Sequence, residues 1–222
     1  MSMSREKNYV TPLHLSTKRD YLERMTNGKV ECMKVARKYD FDFWDGERRF
    51  GYGGYKYIPG RWESFAKKLI KDYSLSNSSS VIDLGCGKGY VLHEIKRLLP
   101  RIKIIGLDIS EYAIVNSKHE VKEYLSVFDL RNKLPFDTKQ FDLAISLATF
   151  HNLRINELEI PISEMERVAA NGYLMVEGYR DEEELYNLEC WALTAESLLH
   201  KDEWLWLFDK FKYSGDYEFI YF

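Results

Sequence analysis

In the stretch V-I-D-L-G-C-G-K-G-Y, Val81 to Tyr90, a carboxylate stands two residues before the first of three glycines, Gly85, Gly87 and Gly89, set at alternate positions. A glycine turn after a short apolar run lets a ligand approach the backbone, and a following helix offers free N–H groups. The dinucleotide fingerprint spaces its glycines G-x-G-x-x-G and seats a pyrophosphate on the helix N-terminus. Here the spacing is G-x-G-x-G, and Asp83 would repel a pyrophosphate. Beside an ammonium the same carboxylate makes a charge-assisted hydrogen bond, directly or through water. The turn therefore suits a ligand with a positive group and no phosphate. Lys88 is followed by Gly89 and not by Ser or Thr, which excludes a Walker loop.

A second acid follows at the expected interval. I-I-G-L-D-I-S, 104–110, carries Asp108, about 20 residues on, where an acidic side chain binds two ribose hydroxyls. S-adenosylmethionine qualifies as the ligand, with its α-ammonium, its sulfonium and its ribose. Methyl transfer from a sulfonium is an in-line displacement in which the protein supplies position, dryness and sometimes a base. His151 is the first candidate for that base by residue type and place, and Glu177 the second. His151 read as a satisfied structural histidine is the alternative.

These residues need a sheet to bring them together. Apolar runs at 81–84, 104–107, 141–147 and 173–176 read as buried strands, with a weaker one at 124–128. Helical spacing occupies 89–99, 111–120 and 156–169, with Pro161 expected to distort the last. Alternation of this kind predicts an α/β, Rossmann-like, doubly wound and mostly parallel sheet. The tail 216–222 alternates like a strand that closes one edge. Before the sheet, helices are expected over Ser16–Met25, capped by Ser16, over Val30–Tyr39 and over Glu63–Tyr73. Between the last two lies an aromatic and glycine-rich stretch, 40–62. The division expected is an N-terminal helical and aromatic cap over 1–62 and a binding domain over 63–222. The 40–62 stretch reads either as packed core or as a lid over the site.

With these motifs in order, the chain resembles the class I S-adenosylmethionine-dependent methyltransferases. V-I-D-L-G-C-G-K-G matches their first motif and G-L-D-I-S-E-Y-A-I their second. L-P-F-D-T-K-Q-F-D-L-A-I-S matches the segment entering the fourth strand, and G-Y-L-M-V-E-G the fifth strand. The resemblance implies that Asp83, Gly85 and Gly87 face the methionine part of the cofactor, with Cys86 lending backbone. Asp108 takes the ribose hydroxyls and Ile109 packs on the adenine. Asp129 accepts from the adenine amino group, or is an exposed loop acid, and Leu130 covers the ring. Ser146 and Leu147 line the sulfonium side. Tyr55 and Arg61 are candidates for the cofactor, Arg61 toward the methionine carboxylate or toward an acidic neighbour. Tyr57, Tyr179 and Arg180 are candidates for the acceptor.

Composition narrows the partners. The 222 residues are 45% hydrophobic and 30% charged with a net charge of −3, so nothing global points to nucleic acid or an anionic membrane. Charge is uneven: residues 1–38 hold nine Lys/Arg against four Asp/Glu, whereas 181–222 hold three against eleven. That predicts a basic N-terminal segment near an acidic C-terminal face, or a basic arm that grips phosphate. Cys32, Cys86 and Cys190 have no metal-ligand spacing, and their odd number makes a poor disulfide framework. No metal is expected, and a cytoplasmic monomer or homodimer is. No N/D-P-P-Y/F tetrapeptide follows the fourth strand, which speaks against DNA or glutamine as acceptor. The expectation is methyl transfer to an oxygen or nitrogen of a small molecule, leaving S-adenosylhomocysteine. A carbohydrate- or nucleotide-linked intermediate of cell-surface polysaccharide synthesis is the finer form. A tRNA or protein methyltransferase, or a non-catalytic binding protein, are the alternatives.

Overall fold

The structure, a computed structural model, describes residues 5–53 and 56–222. Four short helices come first: α1 (Thr11–Leu15), α2 (Tyr21–Thr26), α3 (Lys29–Ala36) and α4 (Phe41–Trp44). The helix expected over Ser16–Met25 starts later, at Tyr21, and residues 16–20 link it to α1. Pro12 sits in the first turn of α1, where a missing N–H costs nothing, and Ser16 ends that helix. Asp20 starts α2 instead, its carboxylate accepting the Glu23 N–H at 2.9 Å.

From α5 (Glu63–Asp72) onward, strands and helices alternate: β1 (Ser80–Leu84), α6 (Tyr90–Leu98), β2 (Lys103–Asp108), α7 (Glu111–Val115), β3 (Leu125–Val127), β4 (Phe141–Leu147), α8 (Glu159–Val168), β5 (Ala169–Glu177), α9 (Glu182–Trp191), α10 (Lys201–Lys210) and β6 (Asp216–Ile220). Pro161 lies in the first turn of α8 and leaves it undistorted, because the helix begins at Glu159 rather than at 156. All six strands are parallel, in the order β3-β2-β1-β4-β5-β6. The tail expected at a sheet edge is β6, paired along Glu177↔Ile220 and Tyr173↔Asp216. A parallel partner needs a long crossover, and α9 and α10 supply it.

Both faces of the sheet are covered, so its strands read as continuous apolar runs. Val81, Ile82, Leu84, Leu143, Ala144 and Ile145 are fully buried. On one face α6 sends in Val91, Leu92 and Ile95, joined by Phe65 and Leu69 of α5. On the other, α8 and α10 contribute Ile162, Met165, Trp204 and Phe208.

The N-terminal segment is stitched to β6. The Lys7 N–H donates to the Tyr217 carbonyl at 2.7 Å, and the Tyr217 N–H to the Arg5 carbonyl at 3.1 Å. Buried Glu218 then accepts the N–H groups of Tyr9, Val10 and Thr11 at 2.7, 2.9 and 2.6 Å. No helix among the described residues is long and apolar enough to cross a membrane.

Candidate active site

In the order 3-2-1-4-5-6 the direction of winding reverses between β1 and β4, and ligands bind outside the carboxyl ends of the strands at that point. Chain connectivity therefore places a site where Gly85 follows β1 and Ala148 follows β4. A cavity of about 770 Å³ opens there. Small-molecule sites span roughly 300–1,000 Å³.

The glycines are needed for close approach. Gly85 has φ +90°, and a Cβ there would lie 2.0 Å from Thr149 Oγ1 and 2.6 Å from Thr149 Cβ. Gly87 has φ +53°, and a Cβ would lie 2.8 Å from the Trp44 ring. Ala148, on the facing turn, also holds a left-handed φ of +54°. A non-glycine residue pays roughly 1–3 kcal/mol for such a backbone, and such strain gathers at functional sites.

Two acids stand behind this turn. Asp108 Oδ2 accepts the Gly87 N–H and Oδ1 the Ser110 N–H, each at 2.8 Å. Burial raises its carboxyl, and the two N–H groups oppose the rise. Asp83 is 3% exposed, and its Oδ1 is buried with no hydrogen-bond partner. Burial, with Asp108 nearby, pushes its carboxyl up to about 8. An acid raised in the folded state keeps its proton while the unfolded chain has lost it, so stability falls as pH rises from about 4 toward 8. The Asp83→Asn variant should therefore gain stability relative to the parent as pH rises through that window. Urea unfolding of both proteins at several pH values checks this, and a constant difference would refute it.

S-adenosylmethionine fits these residues: an orphaned buried carboxylate for its ammonium, a glycine cradle without side chains, and a second acid for its ribose. Ile109, Asp129 and Leu130 continue the same wall. Asp129 is already engaged, because the Arg131 guanidinium holds both its oxygens at 2.6–3.0 Å and keeps its carboxyl low. Cys86 is a free, buried thiol that burial pushes up, with its N–H donated to the Leu107 carbonyl.

The cavity is also lined by Leu147 at the end of β4, His151 in the short turn after it, Glu177 at the end of β5, and Arg61 from the turn before α5. His151 Nδ1 accepts the Glu177 backbone N–H at 3.1 Å, and its Nε2 lies 3.5 Å from Glu177 Oε2. Burial lowers the imidazole to about 3, so it stays neutral, and raises the Glu177 carboxyl to about 7 against the opposing charge of Arg19.

Four of the residues proposed from sequence fall outside the cavity. Ser146 turns inward, its hydroxyl donating to the Leu84 carbonyl at 2.7 Å and tying β4 to β1. Tyr57 donates to buried Glu94 of α6 at 2.6 Å. After Glu177 the chain bends toward β6, the Gly178 N–H meeting the Ile220 carbonyl. This bend carries Tyr179 against the His200 ring and Arg180 to Glu184 and the Tyr221 ring. Tyr55 lies outside the described residues.

The sequence reading also missed residues that close the cavity. Trp44 covers Gly87, its Nε1 donating to Ser110 Oγ at 2.9 Å. Asp45 pairs with buried Lys88 at 2.7 Å and accepts the Tyr112 hydroxyl at 2.8 Å. The Tyr52 hydroxyl accepts the N–H groups of Leu193 and Thr194. The density of aromatic residues in 40–62 was the available signal, but it does not name which ring meets the glycine turn.

The family model described as a methyltransferase domain matches residues 75–212. Among curated proteins, the chain is 30% identical over 89 residues to a malonyl-[acyl-carrier protein] O-methyltransferase of Bacillus anthracis, covering 39% of this chain and 33% of that protein. It is 28% identical over 129 residues to the mitochondrial arginine-hydroxylase NDUFAF5 of Mus musculus, covering 58% and 35%. The chain thus spans about a third of the length of these relatives. In fold it is similar to a Bacillus YcgJ protein, at 16% identity, with a TM-score of 0.53 and 66% of each chain covered. A methyltransferase structure from Bacillus halodurans gives 16%, 0.52, and 66% and 68%. The chain belongs to the methyltransferase-domain family, as a class I S-adenosylmethionine-dependent member.

Proposed function

We propose that this protein methylates an oxygen or nitrogen of a small-molecule acceptor. One observation carries the reading: a single cavity joins the glycine turn with Asp83 to the ends of β4 and β5 with Glu177 and His151. When bound, S-adenosylmethionine supplies an electrophilic methyl group on a sulfonium. Asp83 receives the ammonium, Asp108 the ribose hydroxyls, and Ile109 and Leu130 flank the adenine. Arg61, which lines the same cavity, meets the methionine carboxylate. Residues 1–62 act as a cap, with Trp44 and Asp45 fastened across the turn, so that water is excluded where the acceptor meets the methyl group. A carbohydrate- or nucleotide-linked acceptor of cell-surface polysaccharide synthesis is the finer form of this proposal. It rests on the resemblance of G-Y-G-G-Y-K-Y-I-P-G-R-W (51–62), A-T-F-H-N-L (148–153) and the closing E-W-L-W…Y-S-G-D-Y-E-F-I-Y-F (203–222) to one bacterial subgroup.

Calorimetry tests the reading. S-adenosylmethionine and S-adenosylhomocysteine should bind and NAD should not. Asp83→Asn should weaken S-adenosylmethionine by about 10- to 150-fold, the equivalent of the roughly 1.5–3 kcal/mol of a hydrogen bond to a charged group. Binding of NAD with no response to the sulfonium compound would sink it.

A further inference from the structure

We propose that Glu177 takes the proton of the acceptor, that His151 positions Glu177, and that the acceptor is therefore a proton-bearing hydroxyl or amine rather than a carboxylate. This rests on the methyl-transfer reading.

The geometry assigns the two roles. His151 Nδ1 is occupied by the Glu177 N–H at 3.1 Å, so the single proton of the neutral ring sits on Nε2. That leaves no lone pair to receive a proton. The His151 backbone is also held in place, since its carbonyl accepts the N–H groups of Glu196 and Ser197 at 3.0 Å. The ring's Nε2 lies 3.5 Å from Glu177 Oε2 without a hydrogen bond, and Oε2 has no hydrogen-bond partner among the described residues. At that distance the positive end of the Nε2–H dipole favours the ionised carboxylate.

The other groups facing Glu177 permit the role. Arg19, from the turn before α2, favours the ionised form, and the Tyr52 hydroxyl stands near it. Trp204 Nε1 donates to the Glu177 carbonyl at 3.1 Å and fixes its backbone. Among the described residues, the neutral His151 ring is the one basic group within 4 Å of the carboxylate. A carboxyl raised by burial toward neutrality is suited to receive a proton at physiological pH.

The same wall selects the acceptor. Asn152 Oδ1, on the same cavity, is a second buried acceptor atom without a partner. Two acceptors without donors call for a ligand that donates. A carboxylate ligand would face Glu177 as a like charge, and, already ionised at neutral pH, would need no base. With a hydroxyl or amine, the acceptor atom forms its bond to the methyl carbon while the carbon–sulfur bond breaks. That bond's electron pair stays on sulfur, and the acceptor's proton passes to the Glu177 carboxylate.

The test follows the Glu177 carboxyl itself, in protein carrying ¹³C-labelled glutamate and saturated with S-adenosylhomocysteine. One carboxyl signal, absent from Glu177→Gln, should titrate with a midpoint between about 6 and 8, well above the ordinary glutamate value of about 4.3. His151→Asn keeps an acceptor for the Glu177 N–H but removes the Nε2–H. It should move that midpoint upward, a readout that a merely structural histidine would not give. In parallel, a panel of small hydroxyl, amine and carboxylate compounds is offered with S-adenosylmethionine, and release of S-adenosylhomocysteine is followed. Turnover is expected with hydroxyl or amine compounds, and Glu177→Gln should lower kcat by roughly 10²–10⁴-fold, with Glu177→Asp recovering part of it. A midpoint below about 5, or carboxylate methylation unchanged in Glu177→Gln, overturns the proposal. A panel without turnover leaves the titration to decide. Failure of S-adenosylhomocysteine to bind would instead remove the methyl-transfer reading.

Discussion

Replacing Glu218 by alanine should destabilise the protein by roughly 3–6 kcal/mol, counting about 1–3 kcal/mol for each buried donor left without a partner and allowing water to reach some of them. Glu218 is 1% exposed and gathers five donors from two parts of the chain. They are the N–H groups of Tyr9, Val10 and Thr11, the Thr11 hydroxyl at 2.7 Å, and the Tyr173 hydroxyl of β5. A carboxylate offers about four lone-pair sites and no donor, so two of the three donors on Oε1 share a site. Alanine removes every acceptor at once and leaves a cavity. Glutamine should cost less, since one oxygen remains, yet its amide hydrogens would face the donors of Tyr9 or Tyr173. Urea denaturation measures the loss, and hydrogen exchange at 9–11 locates it. Because α1 hangs from this carboxylate, the expected signature is loss of protection there before the sheet opens. A change below about 1 kcal/mol would show that water replaces the carboxylate without penalty.

Gly85→Ala should be the most damaging single change at the site, with cofactor affinity lowered by more than about 100-fold and stability by roughly 2–6 kcal/mol, the sum of about 1–3 for the backbone and 1–3 for overpacking. The added Cβ meets Thr149 not at a mobile tip but at Oγ1, Cγ2 and Cβ, 2.0, 2.4 and 2.6 Å away. Thr149 is β-branched and its hydroxyl donates to the Leu147 carbonyl at 3.1 Å, so it has little room to yield. The turn after β1 would be pushed off the turn after β4, and the cradle lies between them. Adding Thr149→Gly should recover the packing part of the loss and leave the backbone part. Calorimetry with S-adenosylhomocysteine and thermal unfolding separate the two. If the single variant binds normally, the close approach of these turns is not what shapes the cradle.

The sequence by itself determined the sheet and the cofactor end of the site. Runs such as 81–84 and 141–147 are apolar on both faces, and only a parallel sheet covered twice buries both. G-x-G-x-G with Asp83 and Asp108 is local: the glycines and the acids act within a few residues of two strand ends, so their spacing is legible without a fold. What lies far along the chain was decided by tertiary structure. Glu177 and His151 are 26 residues apart and meet only because β4 and β5 are neighbours, and the 3.1 Å bond that fixes the His151 tautomer joins a side chain to a distant backbone. No spacing rule encodes that bond, so the tautomer it sets cannot be read from the sequence. Ser146 looked like a lining residue from its place at a strand end, but alternation along β4 turns it inward onto Leu84. Tyr179 and Arg180 depended on the direction in which the chain leaves Glu177, and that direction is set by pairing with β6. Trp44 reaches Gly87 across 43 residues, through packing of Phe43 against Leu193 that neither segment announces alone. Local chemistry survives in sequence because neighbouring residues carry it, whereas the contact of His151 with Glu177 joins separated segments that share only the core beneath them.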